Sequence, residues 1–206
     1  MLVRFAILGF AGPVVGGEDD GEEAVRGLHA LGAVDDVGDL QGLRLRTAHM
    51  RILNRPWVIL GAAAVPMAMT EIYMGLQQGT IEGQENPLLT SLAGGFHEIQ
   101  RYITNTEHVH GIVGFVWNRA YFQSLPREYQ DIIRQASNEV SQWRNRVEAE
   151  AQASYIQRSI DMGLELIQLR DLDQWKAALA EPLRQDFPEL QAWVNRIREF
   201  NRAGPH

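Results

Sequence analysis

Between Pro126 and Gly163, apolar residues recur at spacings of three and four. The series Tyr129, Ile132, Ile133, Ala136, Val140, Trp143, Val147 and Ala151 is the mark of one long amphipathic helix. Ser124 and Pro126 open it and Gly163 closes it. At ~1.5 Å per residue such a helix is about 50 Å long, more than one compact lobe needs. It is therefore expected to run along two lobes, with its Trp143 stripe packed into the core.

The rest of the chain alternates between two periods. In "DLQGLRLRT", Leu43 and Leu45 alternate with Arg44 and Arg46, which predicts a strand with one apolar face and both arginines on the other. "AAAVPM" at 62–67 reads as a short buried strand leading to a helix that Thr70 caps. Ile72, Tyr73 and Leu76 face inward on that helix and Gly79 stops it. "TIEGQ" is extended or turning, and Asn86 followed by Pro87 starts the next helix as N-cap and first turn. "GIVGFVWN" at 111–118 reads as a strand buried on both faces, and "LELIQL" at 164–169 as one more strand. From Asp171 onward two amphipathic helices are expected, interrupted near Pro182 and Pro188. Strands alternating with helices indicate an α/β protein with a parallel or mixed sheet.

Composition excludes several classes of function. A chain of 206 residues, 45% hydrophobic, can bury one core or two small lobes that share an interface. Its net charge of −7, from 19 basic and 26 acidic residues, argues against a nucleic-acid surface. With no cysteine there are no disulfides, thiolate metal sites or cysteine nucleophiles. No apolar run approaches the roughly 20 residues that span a bilayer. The opening "MLVRFAILGFAGPVVGG" resembles a degenerate signal peptide without an A-x-A cleavage site; a buried strand or a misplaced start fits it equally well. The acidic patch at 16–27 is expected to be a solvated loop.

Candidate chemistry is sparse. Glu82 and Glu85 could act as an acid and base pair, but nothing in the sequence orients them. His108 and His110 lie on one side of an extended segment, without an evident third metal ligand. Accordingly, no catalytic residue, metal or cofactor is expected. Arg46 is either a strand arginine paired with a nearby acid or a carboxylate grip, since a planar guanidinium meets a carboxylate with two parallel hydrogen bonds.

Four stretches decide between those alternatives by resemblance. "DLQGLRLRT", "VPMAMTEIYMGLQQGTIEGQENPL", "FHEIQRYITNTEHV" and "WNRAYFQSLPREYQDIIRQASNEVSQW" occur here in this order. Their order and spacing resemble those of the solute-binding proteins of tripartite ATP-independent periplasmic (TRAP) transporters, the family that includes C4-dicarboxylate-binding proteins. The match runs from about Gly38 to Phe200, with "E-x-Y-x-x-L-Q-x-G-x-x-x-G-Q-E-N-P" as its most specific part.

The resemblance implies a two-lobed α/β periplasmic binding protein whose long helix spans both lobes. It closes on an organic acid anion, such as a dicarboxylate, a 2-oxo acid or a sugar acid, and delivers it to the TRAP membrane permease from the periplasm, as monomer or dimer. It also implies that Arg46 holds the ligand carboxylate and that Asn86 contacts the ligand, which is compatible with an N-cap role. Met69 takes a position that is usually aromatic over the ligand, and Arg26 falls where a second arginine is often found. Gly79 and Gly83 would let the backbone turn closely behind Asn86.

The chain departs from the family by lacking roughly the first third of a member, so the first lobe is expected to be incomplete. Residues 1–38 are then a remnant of it or a degenerate signal, 39–110 the ligand-binding lobe, and 111–206 a shared return strand, spanning helix and C-terminal helices. Pro56 falls where the family continues a helix, which must start late with Asn54 as cap or be broken. Two other outcomes stand beside the receptor: a remnant that binds nothing, and a hydrolytic or metal enzyme on a similar scaffold.

Overall fold

A computed structural model describes residues 5–6, 26–106, 108–110 and 114–203. Its strands are β1 (Phe5–Ala6), β2 (Arg26–Ala30), β3 (Arg44–Thr47), β4 (Ala63–Pro66), β5 (Gly83–Pro87), β6 (Tyr102–Thr104), β7 (Val109–His110) and β8 (Glu165–Ile167). Its α-helices are α1 (Arg51–Ile59), α2 (Ile72–Gln77), α3 (Leu88–Ala93), α4 (Arg119–Ser124), α5 (Arg127–Asp161), α6 (Leu172–Asp186) and α7 (Gln191–Ala203). Six strands form one sheet in the order β4-β3-β5-β2-β6-β8, while β1 pairs with β7. The sheet is mixed: β3 runs parallel to β4 and β5, whereas β2 runs antiparallel to β5 and β6. The α/β class is as the sequence predicts.

Strand alternation gives the sheet two unlike faces. Leu28, Ala30 and Leu45 point to one side, where they join Leu40, Trp57, Leu60 and Trp175 in the main core. This layer is built by α1 and α6. On the other side Ile72, Leu76, Ile81 and Phe96 form a second, smaller cluster with Val65 and Met67 packed against it. Between the two, β5 is central and holds both of its neighbours closely. A Cβ on Gly83 would lie 3.0 Å from the His29 carbonyl oxygen and 3.1 Å from Leu45, so any larger residue would press the neighbouring strands apart by a few tenths of an ångström. Gly79, with φ +68°, closes α2 in the left-handed conformation as predicted.

Several boundaries differ from expectation. β5 extends through Pro87, so Asn86 is a strand residue, and Pro87 occupies the cap position of α3. The dipeptide Asn-Pro suits a helix start, but pairing of Gly27 with Asn86 and Arg26 with Pro87 outweighs that local preference. Thr70 does not cap α2; it lies inside a 3₁₀ turn, Met69–Glu71, whose Ala68 N–H donates to Glu71 Oε2 at 3.0 Å. Strand β4 is half exposed rather than buried, being the sheet edge.

The prolines break less than anticipated. α1 runs through Pro56, with Met50 and not Asn54 at its N-cap. Asn54 instead donates from Nδ2 to Thr47 Oγ1 at 3.0 Å, tying the helix to β3. α6 likewise continues through Pro182, and the chain turns only at Phe187 and Pro188.

The apolar stretch at 111–118 is not the double-buried strand predicted. Residues 111–113 lie outside the described residues; beyond them Phe115, Val116 and Trp117 are exposed in irregular chain. A continuous apolar run announces burial but not a ladder partner. The long helix is present at 35 residues, and Gly163 ends it with φ +86°. Its C-terminal part borders a common hollow with the sheet through Ile156, Ser159 and Ile160 against Leu88, Ile103 and Leu166. Its N-terminal part does not pack as predicted: Tyr129 and Trp143 are 55% and 56% exposed, and Ile132, Val140 and Val147 are exposed with them. The period of three and four is real, but the described residues supply no layer to cover it.

Candidate functional site

Arg46 sits on β3, inside the edge strand β4, opposite Gln84 on β5 and Val65 on β4. It is 5% exposed, unlike Arg44 two residues earlier on the same side. Its Nε and Nη2 both donate to the carbonyl oxygen of Met67, at 2.9 and 2.7 Å. That fork fixes the guanidinium plane, so the charge is held in one orientation rather than trailing into solvent. Arg44 pairs with Glu82 at 3.2 Å and donates to the Gly79 carbonyl.

Asn86 lies on the neighbouring strand, two residues beyond Gln84 on that same face, 4% exposed. Its Nδ2 donates to Gln84 Oε1 at 2.6 Å and approaches Met69 Sδ at 3.9 Å. Met69 itself is 39% exposed, so the sulfur marks where this buried polar face meets the surface. Met67 and Met69 lie on one short segment; the structure therefore brings Arg46, Asn86 and Met69 together through it. Arg26 starts β2 with its backbone opposite Pro87, and its side chain lies outside the described residues.

A buried polar layer lies behind these residues. Gln84 Nε2 donates to Ser91 Oγ at 3.0 Å and to Gln100 Oε1 at 3.3 Å. Gln100 Nε2 donates to the His29 carbonyl at 2.7 Å, and His29 Nε2 lies 3.3 Å from the Asn86 carbonyl and 3.2 Å from Ser91 Oγ. Sequence reasoning singled out none of His29, Gln84, Ser91 or Gln100. The available signal was faint: His29 alternates with Leu28 and Ala30 on β2, but β5 carries Glu85 on the face opposite Gln84 and shows no such alternation.

The alternatives from sequence come apart in space. Glu82 is held by Arg44, while Glu85 is fully buried on the opposite face, with Oε2 3.3 Å from His108 Nε2. Thr106 Oγ1 lies 2.7 Å from the other ring nitrogen of His108, and the ring meets Trp57 edge-on at 5.0 Å. The two glutamates thus share no site for acid and base work. The side chain of His110 lies outside the described residues, and among the described residues no group of three or more His, Asp or Glu could hold a metal.

Arg46 and Asn86 are thus buried on one face of a mixed sheet. Residues 21–189 match the bacterial extracellular solute-binding protein family 7, and the chain belongs to this family, that of the TRAP transporter solute-binding proteins. The match begins earlier than the motifs alone indicate. The chain is 30% identical over 154 residues to the 2,3-diketo-L-gulonate-binding periplasmic protein of Escherichia coli, covering 75% of this chain and 47% of that protein. It is 32% identical over 155 residues to a solute-binding protein of Verminephrobacter eiseniae, covering 75% of this chain and 46% of that one. It therefore spans about half the length of these curated relatives. A TRAP periplasmic solute-binding protein of Actinobacillus succinogenes, solved with bound L-galactonate, superposes with a TM-score of 0.73 at 28% identity. That match covers 81% of this chain and 55% of the solved one. Members of this family are solute receptors, not enzymes. Among the described residues no helix is long and apolar enough to cross a membrane.

Proposed function

We propose that this chain carries the carboxylate-binding face of a periplasmic receptor that takes up a small organic acid anion and passes it to TRAP membrane permease subunits. One observation carries the proposal: Arg46, Asn86 and Met69 converge on one partly buried corner of the sheet. Held in one plane by the Met67 carbonyl, the guanidinium has the shape to meet a carboxylate with two parallel hydrogen bonds. Asn86 adds a neutral amide and Met69 an adaptable apolar contact.

Sugar acids are the favoured class. The relatives at 28% and 30% identity are described with L-galactonate and 2,3-diketo-L-gulonate. A C4-dicarboxylate is the second choice, from a Rhodobacter capsulatus C4-dicarboxylate-binding protein that is 28% identical over 127 residues.

Thermal unfolding of the purified chain with millimolar sugar acids, 2-oxo acids and C4-dicarboxylates tests the proposal. An acid that binds the folded state alone stabilises it by about 2.7 kcal/mol at a hundred times its dissociation constant. A midpoint raised by one acid, and not raised in Arg46→Ala, is the expected result. No rise with any acid would identify a remnant that has kept the family's sheet without its binding activity.

A further inference from the structure

Gln100 and Gln84 are buried amides whose hydrogen bonds run in a single direction. An amide side chain is nearly symmetric in shape, so its oxygen and NH2 are told apart only by their partners. Here a backbone carbonyl, which can only accept, sets the start. Gln100 lies 2.7 Å from the His29 carbonyl oxygen and must turn its NH2 toward it. Its own oxygen then faces Gln84 at 3.3 Å, which forces Gln84 to present NH2 there and to Ser91 Oγ. Gln84 Oε1 consequently faces Asn86 at 2.6 Å, and Asn86 must answer with Nδ2. The same Nδ2 lies 3.9 Å from the Met69 sulfur, a weak acceptor.

We infer that Gln84 and Gln100 are positioning residues: they relay a fixed polarity from the His29 backbone to Asn86, so that its NH2 and not its oxygen is offered beside Met69. The five residues of the relay, His29, Gln84, Asn86, Ser91 and Gln100, are each at most 4% exposed. Water cannot repair a reversed amide there, and reversal would set oxygen against oxygen and NH2 against NH2. His29 closes the other side, because its Nε2 must carry hydrogen to bond the Asn86 carbonyl. The consequence for binding rests on the receptor function proposed above. A carboxylate oxygen is a far stronger acceptor than a thioether and would take that N–H in place of the sulfur.

The polarity is tested without any ligand, by nuclear magnetic resonance of the 15N-labelled chain. In the wild type the Asn86 NH2 protons should show cross-relaxation to the Met69 methyl and slow exchange with water. In Gln100→Met, which keeps the volume but removes both ends of the relay, that exchange should quicken at least about tenfold while the backbone spectrum stays folded. Fast exchange of the Asn86 NH2 in the wild type, or no change in Gln100→Met, overturns the relay; the wild-type result decides alone if the variant does not fold.

Calorimetry with L-galactonate and D-galacturonate then separates positioning from packing. Gln100→Met should weaken binding about tenfold in the wild type but little in Asn86→Ala. Equal losses in both backgrounds overturn the positioning role. Absence of binding by the wild type overturns the receptor function instead, while the resonance measurements still decide the relay.

Discussion

The Met67 carbonyl holds Arg46 through two hydrogen bonds from Nε and Nη2, which fixes the plane of the guanidinium. Lysine has three donors on one nitrogen and no rigid fork, so it cannot hold that carbonyl and meet two carboxylate oxygens at once. Arg46→Lys is expected to keep the charge yet lose on the order of tenfold in acid affinity, read as a smaller rise in melting midpoint with ligand. Arg46→Ala should in addition lower the unliganded midpoint, because the Met67 carbonyl is orphaned at a cost of about 1–3 kcal/mol. The motif in the sequence named Arg46 and Met69 as candidates, and the structure brings both to the segment 67–69. Asn86 was named as a candidate from the same motif, but its place in a strand was not legible. Gln100 was not legible at all: its partner His29 lies 71 residues away, and only the β2–β5–β6 pairing brings them together.

At the scale of elements, signals carried by a residue's own backbone held, whereas those that depend on tertiary partners did not. Gly79 and Gly163 stop helices through their own backbone conformation, a local property that the sequence states directly. Pro56 and Pro182 were expected to interrupt helices, but α1 and α6 are pinned against each other over the main core, and tertiary packing outweighs the lost backbone bond. Pro56→Ala should therefore raise the melting midpoint, because it restores a helix donor and removes a ring from the interior of α1; a fall would show that the proline ring itself is needed for packing. The loop after β2 is fastened to the segment after β8 by Arg170, which donates to Asp35 Oδ1 at 2.6 Å and through its backbone N–H to the Asp35 carbonyl at 3.0 Å. The Arg170 hydrogen bond, aided by the Arg170 charge, holds the Asp35 carboxyl below its ordinary value against an opposing desolvation. A carboxyl depressed in the folded state stabilises above its unfolded pKa, and that contribution disappears as pH falls through the folded value. Acidification below the ordinary carboxylate range should thus lower the wild-type midpoint more than that of Asp35→Asn, measured as melts from pH 7 downward.

The whole molecule is uneven, and α5 displays the difference along its length. Its C-terminal part touches the sheet through Ile156, Ser159 and Ile160, whereas Tyr129, Ile132, Val140, Trp143 and Val147 lie open on the other two-thirds. The sequence made the stripe legible, since periodicity reports that a face must be covered. It could not report what covers it, and the chain spans only about half of its curated relatives' length. Two tryptophans measure the consequence. Trp57 is 2% exposed in the main core, so Trp57→Ala should cost about 3–5 kcal/mol through lost transfer energy and a cavity. Trp143 is 56% exposed, so Trp143→Ala should change stability by no more than about 0.5 kcal/mol. Backbone hydrogen exchange should follow the same gradient, fast across 127–147 and slow across 156–161, because helical bonds without tertiary cover open locally. Similar costs for the two tryptophans, together with slow exchange along all of α5, would mean that the stripe is covered in solution and that the two-thirds of the helix drawn here as open belongs to a closed core.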